Sequence, residues 1–396
     1  MADAPLPMGL ADVSADWLTS ALRAGGGVGK ASVTAFQWEV LGEGAGFIGQ
    51  LARIRLEYDR EEPAAPRSLI AKFPSPIGQN RGFGVVARLY ETEIRFYREL
   101  ADALPVRVPR CFFGAFDPEP ASSRAVSWVL QRLPGSVTMA LLDRLVATAA
   151  KSTRRYALLL EDLDGARVGD QVSGCTVEEA RVALQALARF HASTWNSPLV
   201  DRAWINRVDA DAALVYGLFR RTWPLFTQRY AAILPNLDEI GAWLERHGLA
   251  LLRRFSQRPY TLLHGDYRLD NLFFDPGRLS GPESVTMIDW QAIRVGNAMQ
   301  DVAYFIRPNV ATALVDVAEE PLLRDYHAAL VAAGVTDYPW EACERDYALA
   351  QAWLAMQGAF LLGALDLSHE RGVELIDRAV ERSSPALSRV IDTLTL

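Results

Sequence analysis

Apolar and polar residues alternate along the first part of the chain in a way that predicts a β-sheet. Residues 33–41 and 51–58 have the two-residue period of a hairpin, and residues 68–73 form a third strand-like run. Apolar residues at approximately helical spacing then predict one helix over residues 85–104. Further strands are predicted for three short apolar runs, at residues 108–116, 127–130 and 157–163.

Helical periodicity dominates the rest of the chain. Thr176 and Glu179 form a capping box ahead of the first helix, which is predicted to reach Trp195. The other helices are predicted at residues 204–226, 237–255, 300–306, 311–333, 341–365 and 370–394. The chain has 396 residues, more than one compact core of about 150 residues would need. We therefore predict an α+β fold with two lobes, a β-rich lobe at 1–162 and a mainly helical lobe at 163–396.

Two short apolar runs within the helical half surround a turn that carries polar side chains. Asp266 and Asn271 follow the first run, and Asp289 follows a second run at residues 285–288. Phosphoryl transfer needs a carboxylate that orients and deprotonates the attacking hydroxyl, and oxygen ligands that hold Mg²⁺. Asp266 is the candidate base. Asn271 and Asp289 are the candidate metal ligands, because amide and carboxylate oxygens suit Mg²⁺ better than zinc.

This turn resembles the catalytic loop of small-molecule kinases. Residues 264–271 read H-G-D-x-x-x-x-N, which has the spacing of the protein-kinase loop H-R-D-x-x-x-x-N with Gly265 in place of the arginine. Together with I-D-W-Q at residues 288–291, this form resembles the aminoglycoside phosphotransferase and choline-kinase-like superfamily. Gly296 and residues 301–305 make it look most like the ecdysteroid-kinase-like branch.

The resemblance implies a protein-kinase-like fold that uses ATP and Mg²⁺ to phosphorylate a small molecule. The missing arginine before Asp266 argues against a protein kinase that is switched by phosphorylation of its activation loop. A kinase-like protein that binds nucleotide without turnover is the competing class.

The resemblance also implies nucleotide-binding roles for residues of the first lobe. Lys72 corresponds to the lysine of the V-A-I-K strand, which reaches the α- and β-phosphates. Its expected partner is Glu93, which stands just before an aliphatic-x-Phe-Tyr group as in the family, and Glu91 is the alternative. The carbonyl of Glu161 and the N–H of Leu163 are the implied contacts to adenine.

Two other segments of the first lobe leave alternatives open. The connection at residues 42–49 carries four glycines and can bring N–H groups such as those of Gly44 and Gly46 to a triphosphate. Its glycines do not follow a strict G-x-G-x-x-G, so the assignment of amides to phosphates stays open. Residues 134–155 depart from the family by inserting a helix-like piece, which is either a lid or an interface.

Four polar residues are expected to support the site or the core. His264 is expected to brace the turn by hydrogen bonds, and Asp301 is expected to cap a helix or brace the metal loop. Arg268 either steadies the turn or meets a phosphate. His191 is expected to be a packed histidine of the core.

Composition excludes several other classes of function. The net charge is −7 with interspersed charges, so no basic stripe for nucleic acid is present. The three cysteines lack C-x-x-C spacing, which predicts reduced thiols, and the N-terminus has no signal-peptide pattern. We therefore expect a cytoplasmic protein. The apolar segment 347–365 is interrupted by glutamines and predicts a buried helix rather than a membrane span.

The same segment gives an indication of the acceptor. Residues 347–361 are aromatic and aliphatic, with only amides as polar side chains. An aminoglycoside would need a rim of carboxylates, and choline would need an aromatic cage with acids close by. We therefore predict a neutral or amphipathic alcohol, such as a sterol-like, terpenoid or hydroxyacyl compound. An aminoglycoside or choline-type acceptor is the alternative.

Overall fold

The structure is a computed structural model that describes residues 5–42, 48–118, 135–234, 236–275, 279, 281–364, 370–390 and 394. The chain divides into two compact units. Unit 1 contains most residues up to Asp164, and unit 2 contains most residues from Gly165 onwards together with Leu104–Arg107. The sequence-based division placed the boundary after Asp162. The fold is α+β, as predicted.

In the part of the chain that the structure describes, unit 1 is built on a five-stranded antiparallel sheet with the strand order β1-β2-β3-β5-β4. Its strands are β1 (Val33–Leu41), β2 (Gly49–Tyr58), β3 (Ser68–Pro74), β4 (Cys111–Phe116) and β5 (Tyr156–Glu161). The predicted hairpin between β1 and β2 is confirmed by a register that pairs Phe36 with Leu56. The predicted phosphate contacts Gly44 and Gly46 lie outside the described residues, as does the strand predicted at 127–130.

The core of unit 1 lies between this sheet and helix α1 (Ala15–Ala24). The side chain of Ser14 accepts a hydrogen bond from the N–H of Trp17 and caps the helix, as its sequence predicts. Trp17 is buried, and its ring stands edge-on to Phe113 at a centroid distance of 5.6 Å. The interior strand β5, which lies between β3 and β4, is buried at five of its six positions. This burial explains its continuous apolar sequence.

The helix predicted at residues 85–104 is confirmed in its middle part, but its bounds are wrong, because a separate helix before it ends only at Val86. Helix α2 (Gly78–Val86) and helix α3 (Leu89–Glu99) are separated by Arg88, which has a left-handed φ of 58°. The hydroxyl of Tyr90 donates to the carbonyl of Ile48 and accepts from the N–H of Ser75. These contacts tie the first turn of α3 to the neighbouring ends of β2 and β3, and apolar spacing does not encode them.

The inserted segment at 134–155 forms helix α4 (Gly135–Ala149), which packs against α2. A Cβ atom at Gly82 would lie 2.2 Å from the carbonyl oxygen of Val146, so only a glycine allows this approach. Arg154, just after α4, lies 3.5 Å from the buried carboxylate of Glu91. The insertion is therefore anchored within unit 1 at its C-terminal end.

Unit 2 is mainly helical, and its described residues form two small sheets as well. Its helices are α5 (Val177–Ser193), α6 (Ala212–Tyr230), α7 (Leu237–Phe255), α8 (Met299–Asn309), α9 (Thr312–Ala332), α10 (Trp340–Ala364) and α11 (Glu370–Val390). One sheet has the order β6-β8-β9 and the other pairs β10 with β7. Their strands are β6 (Arg167–Val168), β7 (Thr261–Leu263), β8 (Leu272–Phe274), β9 (Val285–Met287) and β10 (Arg294–Gly296).

Most helix predictions for unit 2 are confirmed, with one correction. The capping box of Thr176 and Glu179 is present with both of its hydrogen bonds. The helix predicted from residue 204 begins only at Ala212. The preceding backbone instead pairs with β10, where the N–H of Val208 donates to the carbonyl of Val295 at 2.9 Å. A hydrogen bond to a neighbouring strand satisfies the same backbone group that a helix would use.

The remaining general predictions concern cysteines and membrane segments. Cys111, Cys175 and Cys343 are free thiols, and the latter two are buried. Among the helices that the structure describes, none is long and apolar enough to cross a membrane.

Candidate active site

The polar turn lies between β7 and β8, and the pairing of β8 with β9 brings Asp289 to it. Leu272 pairs with Met287, and beyond this pair the N–H of Ile288 donates to the carbonyl of Asn271 at 3.0 Å. Asp289 follows directly and has a left-handed backbone, with φ at 67°. Asn271 and Asp289 therefore stand at neighbouring ends of paired strands, as the sequence predicts.

Hydrogen-bond donors surround the carboxylate of Asp266. The Nδ2 atom of Asn271 lies 2.9 Å from its Oδ2, and the Nε of Arg268 lies 3.3 Å from the same oxygen. The hydroxyl of Tyr304 donates to Oδ1 at 3.0 Å. The side chain is 22% exposed, so one part of it remains accessible. Arg268 also contacts Asp270 at 2.7 Å, and its observed contacts within the turn are those of a steadying residue.

The ring of His264 connects the turn that carries Asp266 with the strand end that carries Asp289. Its Nδ1 accepts from the backbone N–H of Asp266 at 3.3 Å, so its Nε2 carries the proton that it donates to the carbonyl of Ile288 at 2.9 Å. Burial lowers the pKa of His264 and keeps the ring neutral. The predicted bracing role is confirmed, because one ring joins the turn of Asp266 to the strand end that carries Asp289.

Asp301 holds the start of the turn from the first turn of α8. Its carboxylate accepts from the N–H of His264 at 2.6 Å and from the N–H of Gly265 at 3.0 Å, as predicted for a residue that braces the loop. Gly265 has φ at 79°, and a Cβ atom there would lie 2.2 Å from the carbonyl oxygen of Ala292. This crowding gives a physical reason for the glycine of H-G-D. His191 is fully buried and bonds Tyr326, as expected for a core histidine.

The chemistry of Asn271 and Asp289 fits a hard cation. The Nδ2 of Asn271 donates to Asp266, so its Oδ1 is the atom that could bind a metal ion. No group of three or more His, Cys, Asp or Glu side chains suited to a metal ion occurs among the described residues. A site with one amide and one carboxylate suits Mg²⁺, which usually keeps several waters and takes further oxygen ligands from phosphates.

The predicted pair of Lys72 and Glu93 is present in unit 1. The Nζ of Lys72 lies 2.6 Å from the Oε1 of Glu93, and both side chains are largely buried. Glu91, the alternative partner, instead contacts Arg88 at 2.8 Å and Arg95 at 2.9 Å. The alternative is therefore wrong, and Glu93 is the partner of the lysine.

The predicted adenine contacts lie at the end of β5. Glu161 pairs with Leu69 of β3, and its carboxylate accepts from the N–H of Arg110 at 3.0 Å. Between Glu161 and Leu163, the carboxylate of Asp162 accepts from Arg53 at 2.7 Å. This strand end is thus firmly held, while the roles of Glu161 and Leu163 in base recognition stay predictions.

Sequence reasoning missed the contact of Tyr304 with Asp266, although it named the motif that contains Tyr304. Asp301 and Tyr304 are three residues apart on α8, so both side chains lie on one face of the helix. Once Asp301 was assigned to the turn, this spacing could have placed Tyr304 there as well. Tyr304 is also linked to α10, because its ring centroid lies 6.5 Å from that of Trp353.

The apolar segment of α10 divides into core residues and a half-buried face. Tyr347, Leu349, Ala350 and Met356 are buried and belong to the core. The half-buried side chains, which remain candidates for an acceptor surface, are Trp353, Leu354, Gln357, Phe360 and Leu361.

Comparison with known proteins assigns most of the chain to one family model. The model is described as the ecdysteroid kinase-like family and matches residues 43–334. Acyl-CoA dehydrogenase family member 10 of Mus musculus is 36% identical over 88 residues, which cover 21% of this chain and 7% of that protein. The probable acyl-CoA dehydrogenase IBR3 of Arabidopsis thaliana is 30% identical over 126 residues, which cover 32% of this chain and 14% of that protein. The match therefore spans only a small part of each relative.

A solved structure has the same fold. The GDP complex of a mutant aminoglycoside 2′-phosphotransferase IIIa aligns with 88% of this chain and 92% of its own chain, at a TM-score of 0.50 and 14% identity. At this identity the similarity shows the fold alone, which is that of the protein-kinase-like small-molecule kinases.

Proposed function

We propose that this chain, which belongs to the ecdysteroid kinase-like family, transfers the γ-phosphoryl group of ATP to the hydroxyl of a small neutral or amphipathic alcohol with the help of Mg²⁺. The observation that carries the proposal is the carboxylate of Asp266, held by Tyr304 and Asn271 beside the strand end of Asp289. A positioned base and oxygen ligands for a cation are recurring parts of the sites that catalyse phosphoryl transfer.

Each of the site residues in unit 2 has a separate role in the proposed reaction. Asp266 orients the acceptor hydroxyl and accepts its proton. The Oδ1 of Asn271 and the carboxylate of Asp289 would hold Mg²⁺, which when bound would screen the charge of the phosphates. His264 and Asp301 keep the base and the ligands in register through backbone hydrogen bonds.

The residues of unit 1 would bind the nucleotide. Lys72, fixed by Glu93, is the proposed contact for the α- and β-phosphates. The N–H groups near Gly44 and Gly46 are proposed for the triphosphate, and the backbone of Glu161 and Leu163 is proposed for adenine. A fixed lysine is an effective phosphate ligand because little side-chain entropy remains to be lost when the nucleotide binds.

The pairing of Lys72 with Glu93 can be tested by a double-mutant cycle. Lys72→Ala and Glu93→Ala should each lower kcat/KM for ATP, and the double variant should lose less than the sum of the two free-energy costs. The ion pair is buried, so removing either partner already removes the function of the pair. As a control, the cycle of Lys72→Ala with Glu91→Ala should be additive. Additive costs in the cycle with Glu93 would show that the two residues do not act together.

The proposed acceptor follows from α10 and from the names of the relatives. The half-buried face of α10 carries Trp353, Phe360 and Leu361, of which Trp353 and Leu361 also pack against the core, and this face is apolar rather than lined by carboxylates. The curated relatives are named as acyl-CoA dehydrogenase family members. Within the predicted class this name favours a hydroxyacyl compound over a sterol-like or terpenoid alcohol.

Matched acceptor panels test this proposal. We expect ATP-dependent addition of one phosphoryl group, detected by mass, to apolar alcohols and hydroxyacyl compounds, and little transfer to kanamycin-type amines or to choline. Efficient phosphorylation of the amines without activity on apolar alcohols would overturn the acceptor class while preserving the kinase assignment. Stabilisation by Mg·ATP without ATP consumption on any acceptor would identify a protein that binds nucleotide without turnover.

A further inference from the structure

We infer that Tyr304 is a positioning residue that directs one oxygen of Asp266, its Oδ1, toward the acceptor hydroxyl. The inference rests on the proposed function and assigns an atom within it. In this role Tyr304 contacts neither the acceptor nor ATP. It acts by fixing the carboxylate that contacts the acceptor.

The hydrogen bonds around Asp266 distinguish its two oxygens. Oδ2 receives hydrogen bonds from Asn271 and Arg268, whereas Oδ1 receives one from Tyr304. A carboxylate has about four lone-pair sites, two on each oxygen. Among the described contacts, Oδ2 is therefore filled and Oδ1 keeps one site. That site is where an acceptor hydroxyl can donate.

Tyr304 is itself held at several points. Its hydroxyl bonds Asp266, its ring lies near Trp353 of α10, and its carbonyl accepts from the Nδ2 of Asn309 at 3.1 Å. Burial raises the pKa of Tyr304 well above its ordinary value, so the hydroxyl stays protonated and donates to the carboxylate. A donor fixed in this way prevents the carboxylate from rotating and exchanging its two oxygens.

The reaction balances with Oδ1 as the proton acceptor. The acceptor oxygen forms a bond to the γ-phosphorus of ATP while its proton passes to Oδ1 of Asp266. The bond between the γ-phosphorus and the β,γ-bridging oxygen breaks, and ADP leaves with that electron pair. Tyr304 keeps its own proton and its hydrogen bond throughout.

Removal of one oxygen atom tests this role. Tyr304→Phe keeps the ring beside Trp353 and removes only the donor to Asp266. We expect kcat to fall about tenfold, while KM for the acceptor and Kd for Mg·ATP change less than about twofold. Tyr230→Phe is a matched control, because the Tyr230 hydroxyl also donates to an aspartate, Asp377, at 2.8 Å, elsewhere in unit 2. The control should keep kcat within about twofold of wild type.

Only folded protein should be counted, so kcat is calculated as the maximal rate divided by the concentration of ATP-binding sites in each preparation. An unchanged kcat for Tyr304→Phe, on an alcohol that the wild type phosphorylates, overturns the inference and leaves the proposed function standing. An equal loss in Tyr304→Phe and Tyr230→Phe also overturns it, because the effect would then be general. A wild type that phosphorylates no alcohol overturns the proposed function and this inference together.

Discussion

Asp266→Asn is expected to lose phosphoryl transfer by about 10²–10⁴-fold in kcat, the usual contribution of a general base. An amide cannot accept the proton of the acceptor hydroxyl. If the oxygen of the new amide keeps the hydrogen bond from Tyr304, its NH₂ group faces Asn271 and Arg268, which are themselves hydrogen-bond donors. Asp266→Ala, which lacks that donor, should lose activity to a similar extent.

The same variants should bind ATP within about threefold of wild type, because the phosphates are assigned to Lys72 and the metal ligands rather than to the base. Single-turnover kinetics and calorimetric titration with Mg·ATP measure the two quantities separately. Asp275→Asn is the control, since this carboxylate follows β8 in the same unit and pairs with Arg107 at the surface. Turnover by Asp266→Asn near the wild-type rate would show that another group accepts the proton.

The motif residues could be predicted from the sequence because their contacts join residues that are close in sequence or that follow adjacent paired strands. Asn271 reaches Asp266 across five positions, within one turn. Asp289 arrives through the pairing of two adjacent strands, and both strands are visible as apolar runs. Lys72 and Glu93 needed the family pattern as well, because periodicity alone could not choose between Glu93 and Glu91. The structure distinguishes them, because the carboxylate of Glu91 forms ion pairs with two arginines whereas Glu93 pairs with Lys72.

The missed features depend on contacts between elements that are distant in sequence. Tyr304 contacts Asp266 across 38 positions, and the break at Arg88 is accompanied by hydrogen bonds of Tyr90 with Ile48 and Ser75. The delayed start of α6 follows in the same way from the pairing of Val208 with β10. Propensity and periodicity describe neighbours along the chain, so tertiary contacts of this kind override them without a local signal.

The second large effect is expected for Asp289→Ala, which should lower the affinity for Mg·ATP at least about tenfold. Asp289 is one of two side chains assigned to the cation, so its removal should weaken binding of the metal–nucleotide complex itself. Affinity for ATP in the presence of a chelator should change little, because Lys72 does not depend on the cation. Titration with ATP at several Mg²⁺ concentrations separates the two effects.

The backbone at Asp289 supplies a control for this prediction. Its φ of 67° lies in the left-handed region, where alanine costs about 1 kcal/mol and glycine does not. Asp289→Gly therefore removes the carboxylate without adding backbone strain, and it should lose Mg·ATP affinity as strongly as Asp289→Ala while remaining the more stable of the two. If Asp289→Gly kept the wild-type affinity for Mg·ATP, the loss in Asp289→Ala would come from strain and the metal ligand would have to be another residue.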